Sequence, residues 1–357
     1  MRTGARRTLI ALTAGVALLG LAAPALAGTA NAGLRGASRS NPLAGVRWGS
    51  YPSPHNSVYA AYQSAGGTDR RLLAKIALRP IVQWFGPWVA DGQAESAARD
   101  YAQTVTGGDP AAGAQYAVFR LDPWEGAACS TTPGPTRQAS FRSWIDSFAH
   151  GIGTTRSLIV LQPDLPFALC SRGRTQWLRM VAYATARFSA LARTTVYIDA
   201  GAYQWISPAA TAAMLQAAGI SRARGFSLDD TEYDTTAREL DWGQRIEGQL
   251  AARGLRGKHF LISTSMNGVG FLNGQYHGNV ANARVCRNPH DSLCVTLGIP
   301  PTTDVASPKW QLDGASRSLA ANYVDAYVWV GRPWLDNQAY PFDLRRAIAL
   351  AGSSPFG

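Results

Sequence analysis

Carboxyl groups follow directly on apolar, β-branched runs along this sequence. Ser157–Leu161 runs into Gln162-Pro163-Asp164, Thr195–Ile198 into Asp199-Ala200-Gly201, and Ala223–Leu228 into Asp229-Asp230, with Glu232 close behind. Gln115–Leu121 leads to Asp122-Pro123-Trp124-Glu125, and Val324–Val330 leads through Arg332-Pro333-Trp334-Leu335 to Asp336. Ile76–Phe85 ends in Trp84-Phe85-Gly86-Pro87-Trp88, and His259–Thr264 runs on to Asn267-Gly268. A carboxylic acid set opposite a carboxylate can protonate a leaving oxygen while its partner activates water or attacks carbon. Tryptophans among them supply flat apolar faces for sugar rings. Glycosidic-bond hydrolysis is the chemistry such a rim would perform.

Each residue alone has a plainer use. A strand-end Asp can cap the next helix, as Asp229 and Asp230 could before Ala237. Asp199-Ala200-Gly201 could be a turn, and Trp84 could be core. The recurrence at successive strand ends favours a shared site. Rival chemistries lack their residues: there is no Gly-x-Ser-x-Gly elbow. The five histidines show no metal-ligand spacing. Neither a metal nor a cofactor is expected.

Groups brought to one rim require strands that point the same way. Between the apolar runs lie helical patterns at Ala94–Thr106, Arg137–His150, Thr175–Ala192, Pro208–Ala218 and Ala237–Arg253. Strands alternating with helices make a parallel sheet, and continuous apolar strands bury both of its faces. In such folds chemistry sits at the C-terminal strand ends. The expectation is α/β: a distorted seven-stranded parallel (β/α) barrel in a single domain. An open doubly wound sheet is the alternative, weakened by the lack of a Gly-rich phosphate loop after the first strands.

The N-terminus reads as an export signal over residues 1–27, with Arg2, Arg6 and Arg7, an apolar stretch, and Ala25-Leu26-Ala27 as cleavage site. A Gly-, Ala- and Ser-rich leader at 28–42 is expected to be flexible, and 43–357 to be the barrel. A secreted, extracellular monomer follows, with no membrane association after cleavage. The formal charge of +11 raises the question of nucleic acid. The arginines are scattered rather than in blocks, so no nucleic-acid partner is expected. Cys129, Cys170, Cys286 and Cys294 are an even set in an exported chain, which implies disulfides. Cys286 and Cys294 could close on each other, and Cys129 and Cys170 would then tie two loops.

The same segments resemble glycoside hydrolase family six, the inverting cellobiohydrolases and endo-β-1,4-glucanases. The resemblance runs from about Asn41 to the end. It is carried by Trp84-Phe85-Gly86, Phe141-Arg142-Ser143-Trp144-Ile145-Asp146, Leu158–Leu165, Tyr197-Ile198-Asp199-Ala200-Gly201, Thr264-Ser265-x-Asn267-Gly268 and Asp325-Ala326-Tyr327-Val328-Trp329-Val330. It implies that Asp164 is the general acid, although the family's Glu-Pro-Asp reads Gln162-Pro163-Asp164 here. It implies that Asp336 is the base, in a loop where the family's Lys and Glu are missing and Arg332 stands for the Lys. The family's Arg-Asp-Cys at the second strand is broken, and Glu125 stands at the matching spacing as helper carboxylate. Trp84, Trp205 and Trp329 are expected to stack on sugar, with Asn267, Arg332 and Asp199 also in the substrate site. Ser263 and Met266 replace a family Asp and Arg together, and Cys129–Cys170 resembles a family disulfide. The implied partner is a β-glucan polysaccharide or oligosaccharide. The altered motifs leave a second reading, a barrel that binds glycan without cutting it or that cuts a different wall polysaccharide.

Overall fold

A computed structural model describes residues 40–272 and 274–356. The expected signal peptide, and the leader as far as residue 39, lie outside the described residues. At the end of that leader, Asn41 already belongs to the barrel, its Nδ2 donating to the Asp325 carbonyl at 2.6 Å.

The strands are β1 (Arg47–Trp48), β2 (Gln83–Phe85), β3 (Ala112–Val118), β4 (Arg156–Leu161), β5 (Thr194–Asp199), β6 (Gly225–Leu228), β7 (His259–Ser263) and β8 (Val324–Val328). All pair in parallel. β1 pairs with Ala112 and Gly113 and β2 with Tyr116–Val118, so both lie on the same edge of β3. They share one strand position, and from β3 to β8 the order follows the sequence. This gives the seven-stranded (β/α) arrangement expected. The sheet curls until the two ends approach, where Val82 N–H donates to the Trp329 carbonyl at 2.9 Å.

Side chains alternate along each strand. Ala117, Leu158, Val160, Tyr197, Leu261, Ala326 and Val328 fill the inside. Tyr116, Ile159, Leu161, Ile198, Phe226, Phe260 and Ile262 point out to the helices. Parallel strands need crossovers, and helices supply them. In chain order the helices are α1 (Ser57–Ser64), α2 (Gly67–Ala77), α3 (Ala94–Thr106), α4 (Gly126–Cys129), α5 (Pro135–Ile152), α6 (Arg174–Ser189), α7 (Pro208–Ala217), α8 (Thr236–Ala252), α9 (Gly314–Tyr323) and α10 (Leu344–Ser353). Helices α1, α2 and α10 build a second apolar cluster with Trp329 and Trp334.

One expected strand is corrected. Ile76 and Ala77 finish α2, and only Gln83–Phe85 is strand. Leu73 and Ile76 are both fully buried, three residues apart, which is helical and not alternating spacing. Close approach of β2 and β3 at the rim fixes Gly86: a Cβ there would lie 2.5 Å from the Phe119 carbonyl oxygen.

Candidate active site

The C-terminal strand ends carry unusual backbone. Gln162, Asp164 and Asp229 follow β4 and β6 with φ of +56°, +65° and +62°. Left-handed conformations cost energy for residues with a Cβ and concentrate where surroundings enforce them. Around Asp164 the enforcement is visible. The carboxylate of Asp199, at the end of β5, accepts from Leu165 N–H at 2.9 Å and from Gly201 N–H at 3.2 Å. Gln162 Oε1 accepts from Leu121 N–H at 3.1 Å, which ties the turn to the loop after β3.

Asp164 itself is 9% exposed, and its Oδ1 accepts from the Thr231 hydroxyl at 2.5 Å. Burial raises its pKa to about 6; the Thr231 bond opposes this and the negative charge of Glu125 adds to it. A carboxyl poised there is protonated in mildly acidic solution and can give up its proton, as a general acid must.

Behind it stands a buried acidic cluster. Asp199 and Asp230 are hydrogen-bonded to each other, and burial raises both. For Asp199 the charge of Asp230 adds to the effect of burial, since like charges so close disfavour ionisation. Ser227 donates to Asp230 at 2.7 Å. Asp229 accepts from Asp234 N–H at 3.2 Å and from Asn267 Nδ2 at 3.1 Å. Glu239, fully buried in α8, accepts from Tyr203 N–H at 2.8 Å. Burial raises Asp229 and Glu239 well above the carboxylate range. Glu232 is half-buried; burial, and then the charge of Asp164, raise it to about 7. Asp229 and Asp230 therefore do not cap α8. That task falls to Thr235, whose side chain accepts from Arg238 N–H.

Glu125 is exposed at the start of α4 with φ of +55°. Its loop is fixed by the disulfide Cys129–Cys170, which joins α4 to the 3₁₀ helix Leu165–Cys170 that directly follows Asp164. The loops of Glu125 and Asp164 are thus cross-linked. The second disulfide is Cys286–Cys294, so both expected pairings are formed.

Asp336 lies beyond β8. Its carboxylate accepts from Asn282 Nδ2, and its charge acts on Arg346. It lines an open depression with Asn282, Asp343 and Arg346. Its loop nevertheless reaches the residue bonded to Asp164: Gln338 Nε2 donates to the Thr231 carbonyl at 2.9 Å.

The aromatic expectations divide. Trp205 is partly exposed on the turn after β5, with Phe167 edge-on at 5.2 Å. Trp329 is 2% exposed in the second core cluster, its Nε1 donating to the Ile299 carbonyl at 3.0 Å. It is a core residue and not a sugar platform. Trp84 is 7% exposed, its Nε1 donates to the Val330 carbonyl at 2.8 Å, and the Arg332 guanidinium covers its ring at 4.4 Å. Phe119 packs beside the ring at 5.5 Å, so it offers little surface to a sugar, and burial lowers the Arg332 pKa to about 10. Asn267 is corrected too. Its Nδ2 donates to Asp229, the Asp234 carbonyl and Thr236, so it holds the β6 loop and offers no donor to a sugar. Asp199 is 1% exposed and likewise acts on backbone rather than on substrate.

Against this geometry the comparisons with known proteins are decisive. The profile of Glycosyl hydrolases family 6 matches residues 48–334. The chain belongs to this family. Endoglucanase A from Cellulomonas fimi is 34% identical over 232 residues, 64% of this chain and 48% of that protein. Endoglucanase 1 from Streptomyces halstedii is 32% identical over 241 residues, 64% of this chain and 71% of that protein. The match thus spans about half the length of the first relative. The endoglucanase Cel6 from Mycobacterium tuberculosis, solved with methyl-cellobiosyl-4-deoxy-4-thio-β-D-cellobioside, superposes with TM-score 0.70 at 27% identity, covering 88% of this chain and 99% of that one.

Thr231, Glu239 and Gln338 were missed by sequence reasoning. Glu239 falls in the first turn of a helix, where a carboxylate ordinarily faces solvent. Thr231 was overshadowed by the acids on either side. Gln338 follows Asp336 in a loop without periodicity, so no pattern could have indicated it.

Proposed function

We propose that this family 6 chain is a secreted β-1,4-glucan hydrolase, acting as a monomer and with inversion on cellulose-like polysaccharides. The supporting observation is Asp164: a buried carboxyl at the end of β4, bonded to Thr231, with a pKa near 6 and carboxylates around it. In the reaction Asp164 protonates the glycosidic oxygen as the bond to the anomeric carbon breaks. The charge of Glu125 helps to keep the proton on Asp164. A base carboxylate on the opposite side of the sugar ring takes a proton from the attacking water, and Asp336 is assigned that role. Trp205 is the stacking platform. Secretion rests on the N-terminal signal pattern, and among the described residues no helix is long and apolar enough to cross a membrane.

The acid is tested by leaving group. Asp164→Asn should lose turnover on a cello-oligosaccharide yet keep it on a dinitrophenyl glycoside, whose leaving group needs no proton. Equal loss on both, or no loss on either, would remove Asp164 from this role. Azide tests the base: it should restore Asp336→Asn and not Glu232→Gln. The opposite result would move the base to Glu232.

A further inference from the structure

The bond between Thr231 and Asp164 has a support of its own. Gln338 Nε2 donates to the Thr231 carbonyl at 2.9 Å and to the Tyr233 hydroxyl at 3.3 Å. Gln338 Oε1 accepts from Arg332 N–H at 3.4 Å. One amide therefore spans from the loop after β8 to the loop after β6. Gln338 and its neighbour Asn337 both hold positive φ, +56° and +47°, so this loop is bent to bring the amide inward. From the other side Tyr233 stacks on Phe271 at 5.0 Å, and its carbonyl accepts from Phe271 N–H at 2.9 Å. The backbone carrying the Thr231 hydroxyl is held at both flanks.

The hydroxyl faces an otherwise hostile field. The acid interacts with Glu125 from the β3–β4 connection, Asp199 from the end of β5, and Asp230 and Glu232 from the end of β6. Burial and the charge of Glu125 oppose ionisation of Asp164, and its charge in turn raises Asp199, Asp230 and Glu232. An O–H donated to a carboxylate favours the ionised form, and Thr231 supplies it. The same hydroxyl can turn and accept once Asp164 is protonated, because a hydroxyl both donates and accepts. It can therefore serve the acid before and after proton transfer.

We propose that Thr231, clamped by Gln338, is a positioning residue that orients the Asp164 carboxyl and offsets its burial and the charge of Glu125, so that the loop carrying Asp336 helps to govern the acid. The inference rests on Asp164 being the acid, and the experiment separates the two. The full-length protein is used, with a soluble cello-oligosaccharide for the pH dependence of kcat. The ¹³Cγ titration of Asp164 is followed in parallel, its signal identified by loss in Asp164→Asn. Thr231→Val keeps the shape and removes the donor. Both the basic limb of kcat and the titration midpoint should rise by about one pH unit. Thr231→Ser should restore the wild-type midpoint, and Gln338→Ala should move it upward by less than the valine variant. If Asp164→Asn keeps wild-type turnover, the reading of the acid falls. If Asp164→Asn is inactive and the midpoint in folded Thr231→Val stays or falls, this inference alone is overturned. An unmoved midpoint in Gln338→Ala would remove the clamp.

Discussion

A buried acid kept protonated for chemistry should cost the fold stability, and Asp164→Asn measures how much. Ionised Asp164 is disfavoured by burial, which raises its pKa from 3.8 to about 6. Each pKa unit corresponds to about 1.4 kcal/mol, so the neutral amide should stabilise the protein by about 3 kcal/mol at pH 7. The sign follows from proton binding. Between these two pKa values the folded chain holds a proton that the unfolded chain has lost. Wild-type stability therefore falls as pH rises through the window from 3.8 to about 6. Below 3.8 both states are protonated and the difference vanishes. At about 2 cal/mol/K of unfolding entropy per residue, a folded part of roughly 315 residues gains about 4–5 °C in Tm. Asparagine can still accept the Thr231 hydroxyl, so that bond survives the exchange. Calorimetric melts of both proteins from pH 3.5 to pH 7.5 provide the assay. The variant and wild type should coincide at the acid end and diverge to a plateau above about pH 6.5. A variant equal to or less stable than wild type at pH 7 would refute the reasoning, because the burial cost would then not exist.

Activity of the wild type should fall along a basic limb near pH 6, and Glu125→Gln should move that limb to lower pH by removing a charge that favours the proton; a kcat profile on cello-oligosaccharide reads it. The two disulfides close loops with separations of 41 and 8 residues. On chain entropy alone, paired Cys→Ser changes should cost about 4 kcal/mol for Cys129/Cys170 and about 2–3 kcal/mol for Cys286/Cys294, as measured by urea unfolding. Trp205→Ala should raise KM with little change in stability. Trp329→Ala should cost about 3–5 kcal/mol of stability through a core cavity while leaving the KM of the folded fraction unchanged.

The strands were legible because a parallel sheet buries both faces and so writes each strand as a continuous apolar run. Helix α3 was readable to its last residue, because Gly107 in a left-handed conformation ends it. Ile76-Ala77 misled because a short apolar run has no period long enough to separate helix from strand. Asp164 could be found because it follows its strand by a fixed turn. The tryptophans could not be sorted in the same way. Trp329 and Trp205 both sit close to a strand end, and only packing separates a ring under α10 from one on an open turn. Asn267 reads as a recognition amide in any sequence, whereas its role depends on a loop more than thirty residues upstream, reached through Asp229 and the Asp234 carbonyl. Electrostatic depth was equally hidden. Nothing in Asp229-Asp230-Thr231-Glu232 tells which carboxyl is sealed and which can meet solvent.

The account's central claim is that Asp164 delivers a proton in a single inverting displacement at a β-1,4-glucosidic bond. Proton NMR of the anomeric region during the first minutes of cellohexaose hydrolysis tests it most directly. The account predicts that the new reducing end appears as the α-anomer and then mutarotates towards equilibrium. Initial release of the β-anomer would contradict it, since retention requires a nucleophilic carboxylate and a different division of labour on this rim.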